Sequence, residues 1–179
     1  MADLELRVSQ QQVVDFFSDT AVRLAAEDSP LREGSSGHWN FYLTAALGPM
    51  GYSESVLTAI KRTRSGGTLP KYPEDGELLP PYEKLATELG DICGSEVELF
   101  HNMMADIISG KDVSDRAVQL FQLYGKFMQA AQRIQEVYDS QEQQPHRATV
   151  LVDGIKKWIK GKEEMYNPQT QQAYLARFL

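Results

Sequence analysis

The chain has 179 residues, of which 42% are hydrophobic and 24% charged, and a formal net charge of −7. That length suits one domain (1–179) able to bury a core without disulfide or metal staples, and the composition excludes a disordered chain. The acidic balance excludes general affinity for nucleic-acid backbones, which draws its energy from lysine and arginine, and no apolar run approaches the ~18 residues of a bilayer span.

Met1-Ala2-Asp3-Leu4-Glu5 is acidic where a secretory signal needs a basic start and an apolar core, so the chain reads as cytoplasmic. Ser9 and Gln12 have capping-box spacing, and Val13, Phe17, Ala21 and Leu24 recur at helical intervals, which predicts a first helix over Ser9 to Asp28. Trp39, Phe41, Tyr42, Leu43 and Leu47 form a short aromatic-rich segment stopped at Gly48-Pro49. A further helix is expected over Ser53 to Arg64, its terminal Lys61, Arg62 and Arg64 complementing the helix dipole. The connection from 65 to 81 holds four prolines and three glycines and reads as one long irregular loop, with Leu69, Tyr72, Leu78 and Leu79 able to pin it.

From Pro81 to Ser109 the apolar positions Leu85, Leu89, Ile92, Val97, Phe100, Met103 and Ile107 stay in phase. Either one helix or two halves broken at Gly94-Ser95 fits them. The clearest signal runs from Ser114, read as a cap, to Gln144: Ala117, Leu120, Tyr124, Phe127, Ala131, Ile134 and Tyr138 alternate steps of three and four. Phe121, Leu123 and Met128 widen that stripe, which predicts a helix with more than one neighbour. Beyond the polar linker at 141–145, with a weak subdivision of the domain near 141–147, a helix over Ala148 to Lys160 or a short strand at 149–152 is expected. Asn167-Pro168 marks the start of a last helix. The fold class is therefore all-α, a bundle of about six or seven helices.

Glu98 and His101 have the Glu-x-x-His spacing of carboxylate-bridged metal bundles. Such a site needs a second pair and more inward carboxylates; Ser35–His38 and Gln143–His146 do not repeat the motif. The pair reads as a hydrogen-bonding one, and no metal or other cofactor is expected. Cys93 is the only cysteine and, beside Asp91 and Glu96, reads as a buried apolar residue instead of a reactive thiol. Gly154 to Lys162 lacks the intervals of a phosphate loop. Read as a helix, it sets Leu151, Val152, Ile155, Trp158 and Ile159 against a basic face of Lys156, Lys157 and Lys160. No local spacing suggests a catalytic triad, so catalysis is not expected.

Charge is segregated: Glu83 to Asp115 carries eight acids against two lysines, and Arg147 to Lys162 five bases against one acid. These observations favour a protein-binding role as an adaptor, regulator, immunity-type inhibitor or assembly subunit. Trp39, Tyr42, Leu69 and Tyr72 would supply apolar anchors, and Glu88, Asp91, Glu98 and Asp106 would steer a basic partner. The alternative is a helical carrier or oxidoreductase holding a metal, haem or apolar ligand near Glu98, His101, Met103 and Met104. The two-faced central helix and the segregated charge also point to a homo-oligomer.

Overall fold

A computed structural model describes residues 4–25, 80–144 and 146–170. Over these residues the chain is all-α, with no strand, and its helices pack together. They are α1 (Gln10–Ala25), α2 (Pro80–Ile108), α3 (Ser114–Asp139) and α4 (His146–Met165). A further helical turn begins at 168–170. The expected aromatic segment, the 53–64 helix and the 65–79 part of the loop lie outside the described residues.

Reciprocal capping starts α1. Gln12 N–H donates to Ser9 Oγ at 3.1 Å while Ser9 N–H donates to Gln12 Oε1 at 2.8 Å, satisfying two backbone donors that a helix start leaves open. Val13, Phe16 and Phe17 turn inward. The preceding residues cross the bundle: Leu4 C=O accepts from Gln132 of α3, and Arg7 N–H donates to Glu163 of α4.

Gly94-Ser95 does not break α2, which runs unbroken through it. Its buried row is Tyr82, Ala86, Leu89, Cys93, Glu96, Phe100, Met103 and Ile107, steps of four and three without a gap. Cys93 is buried, as its setting in the sequence implied. The helix ends where Gly110, at φ +76°, lets the chain fold back: Gly110 N–H donates to Ile107 C=O and Lys111 N–H to Asp106 C=O. That pair of bonds is the Schellman closure.

Two expectations about α3 need correction. Ser114 does not cap it; the Asp112 carboxylate accepts from both Ser114 N–H and Ser114 Oγ, because the residue two before the first turn reaches the open backbone donors. These bonds hold the Asp112 carboxyl below its ordinary value of 3.8. The helix also stops at Asp139, short of Gln144. After Tyr138 no apolar residue remains to dock, and Ser140 Oγ and Gln144 Nε2 bond the last carbonyls instead.

Ala117, Leu120, Tyr124, Phe127, Met128, Ala130, Ala131 and Ile134 of α3 are buried on more than one face, because α1, α2 and α4 all pack on it. For α4 the strand alternative fails: 149–152 lies inside a helix whose buried row includes Leu151, Val152, Ile155, Trp158 and Ile159. Lys156, Lys157 and Lys160 face solvent. Asn167 Oδ1 accepts from Gln169 N–H, the cap expected at Asn167-Pro168.

Candidate functional site: a buried ion pair in an aromatic box

The described helices converge on two charged side chains. Glu96 of α2 is 2% exposed and Lys162 of α4 is 1% exposed, and Lys162 Nζ meets Glu96 Oε1 in an ion pair. Aromatic rings line the ammonium, which lies 5.2 Å from the Tyr124 ring centroid and 5.5 Å from that of Trp158. Both distances fall within cation–π reach. Trp158 stacks on Phe127 at 3.8 Å and meets Tyr124 edge to face at 5.5 Å. Tyr166, just past α4, shares a 2.6 Å hydroxyl–hydroxyl bond with Tyr124 and touches Phe16 and Phe17 of α1.

Local helix geometry explains the gathering. Glu96 fills the step between Cys93 and Phe100 in the α2 row, and Lys162 the step between Trp158 and Met165 in the α4 row. Backbone phase alone therefore drives both charges inward, where each is tolerable only opposite the other. Removing one partner would leave an uncompensated buried charge, a loss of about 3–5 kcal/mol, whereas replacing both with apolar groups is near neutral or stabilising. Among the described residues Glu96 Oε2 and Trp158 Nε1 have no hydrogen-bond partner, so the centre is incompletely satisfied.

Burial raises the Tyr124 and Tyr166 hydroxyls well above the ordinary tyrosine value of 10.0, and the Glu96 carboxylate adds to the effect. Both phenols stay protonated across the physiological range. Chemically the centre holds charge without presenting it: at these exposures no solute reaches the ammonium or the carboxylate unless α4 moves.

The sequence-derived site residues scatter. Trp39, Tyr42, Leu69 and Tyr72 lie outside the described residues. Of the four acids, Glu88 pairs with Arg133 of α3 at 3.6 Å, and Asp106 pairs with Arg116 at 3.1 Å and Lys111 at 3.9 Å. Asp91 and Glu98 are exposed and form no ion pair among the described residues. Glu98 and Met103, grouped as ligand candidates, fall on different faces of α2, one exposed and one fully buried; the side chains of His101 and Met104 lie outside the described residues. Among the described residues no three His, Cys, Asp or Glu side chains gather in a metal-binding group, and no helix is long and apolar enough to cross a membrane.

Sequence reasoning missed the centre itself. Glu96 counted as one more acid and Lys162 as one more base, although each interrupts an apolar row at core phase. A lone acid in one row and a lone base in another is the signal that finds such a pair. Comparison of the chain with protein-family models, curated proteins and solved structures gave no match.

Proposed function

We propose that this chain works by binding a basic protein partner, as an adaptor, regulator, immunity-type inhibitor or assembly subunit, and that it catalyses no reaction. The observation that carries the reading is the state of the α2 outer face. Glu88 and Asp106 are engaged within the chain, but Asp91 and Glu98, seven residues and ~10 Å apart along one rigid helix, are exposed and form no ion pair among the described residues. Exposed carboxylates fixed on a helix speed encounter with a basic surface and disfavour acidic ones.

Val150, 46% exposed, is the one large apolar side chain at the surface among the described residues, so this part of the surface offers charge more than apolar area. Under this reading the apolar anchors come from Trp39, Tyr42, Leu69 and Tyr72, and α2 steers the approach.

Affinity capture at low salt with the parent chain and an Asp91→Asn/Glu98→Gln variant tests the proposal. A stoichiometric partner held by the parent and lost with the variant or in high salt is expected. Recovery of no partner, or of one indifferent to both changes, overturns the reading.

A further inference from the structure

A buried charge pair responds to slippage and to opening in opposite ways, and the Glu96–Lys162 pair joins α2 to α4 in this manner. Glu96 and Lys162 each sit inside an otherwise apolar row, so sliding α4 on the bundle by a helical turn sets both charges against apolar neighbours while they remain buried. Full undocking instead returns both to water. Hydration recovered by the ions then offsets part of the cost of exposing the apolar row of α4, and the partnerless Glu96 Oε2 and Trp158 Nε1 gain bonds to water that the docked state denies them.

α4 lies at the edge of a group in which α1, α2 and α3 all pack on one another. It packs chiefly on α3 and is entered through the polar stretch at 140–144, while its far end is tied at the surface by the Arg7 N–H bond to the Glu163 carboxylate and in the core by the Tyr124–Tyr166 hydroxyl bond. From this geometry we infer that the Glu96–Lys162 pair is a register lock that admits α4 in one docked position and lets that helix open as a unit ahead of the rest of the bundle. The device stands independently of the partner-binding reading, since it rests on the core and not on the α2 outer face.

Native-state hydrogen exchange of the full chain in low urea, read by mass spectrometry, tests the opening. The amides of 148–162 are expected to open together at least about tenfold more often than those of 117–134. Glu96→Gln should raise the α4 opening by a further ~10-fold and leave α3 almost unchanged, because the Lys162 charge is then buried without its partner. A Glu96→Leu/Lys162→Met variant should bring the opening of α4 down to that of α3 while splitting or broadening the Trp158 indole N–H resonance, which is expected as a single signal in the parent. Simultaneous opening of α3 and α4 in the parent overturns the inference, and that measurement needs no variant to fold. So does an equal effect of Glu96→Gln on both helices, or a single sharp Trp158 signal in the apolar variant.

Discussion

Tyr124 and Tyr166 show how much one hydroxyl matters inside this bundle. Each satisfies the other, so Tyr124→Phe leaves the Tyr166 hydroxyl buried without its partner, an expected loss of about 1–3 kcal/mol in urea denaturation, most of which a Tyr124→Phe/Tyr166→Phe double variant should restore. The same residues set an alkaline limit. Both fold with hydroxyls raised above 10.0, so above that pH the unfolded chain releases protons that the folded chain keeps. Stability present below about pH 10 is therefore lost as pH rises further, by about 1.4 kcal/mol per pH unit for each tyrosine. Denaturation midpoints measured from pH 8 to 11 should fall more steeply in the parent than in the double variant. Parallel curves would show that other groups control the alkaline limit.

At the scale of elements, two glycines of one helix region predict opposite outcomes. Gly94 is exposed in the middle of α2 and an added Cβ there meets nothing within 4 Å, so Gly94→Ala should stabilise the protein by about 0.5–1 kcal/mol. Gly110 is equally uncrowded but holds φ +76° in the closing turn, so Gly110→Ala should cost about 1–2 kcal/mol from the backbone alone. Thermal melts of the two variants should move in opposite directions. A drop with Gly94→Ala would show that α2 needs its glycine for something other than helix continuity. The sequence left open whether Gly94-Ser95 divides α2, because local propensity weakens the helix there while the apolar phase carries straight across; burial of Cys93, Glu96 and Phe100 in one row decides for continuity.

For the whole molecule, the two-faced apolar pattern of α3 has its explanation inside one chain, since α1, α2 and α4 all cover it. Among the described residues charge is then the remaining drive towards self-association, through Asp91 and Glu98 on one copy and the exposed Lys156 on another. Light scattering is expected to give a monomer mass across dilution and ionic strength. A dimer that survives high salt would show an apolar contact between copies, and one that dissociates in salt would assign the charged faces to it.

The helical class, the capping box at Ser9 and Gln12, the inward faces of α3 and α4 and the burial of Cys93 were all legible in the order of residues, because periodicity and capping act over one or two helical turns. The acidic and basic segments were legible too, but not which of their charges are spent. That Glu88 and Asp106 are paired among the described residues while Asp91 and Glu98 form no ion pair there depends on which arginines α3 and its first turn bring alongside. Likewise the pairing of Glu96 with Lys162 joins residues 66 positions apart whose individual phases were visible but whose meeting was not. A charge at a core position is tolerable only if another helix delivers its partner, and that delivery is settled by how the helices pack, not by the phase of either one.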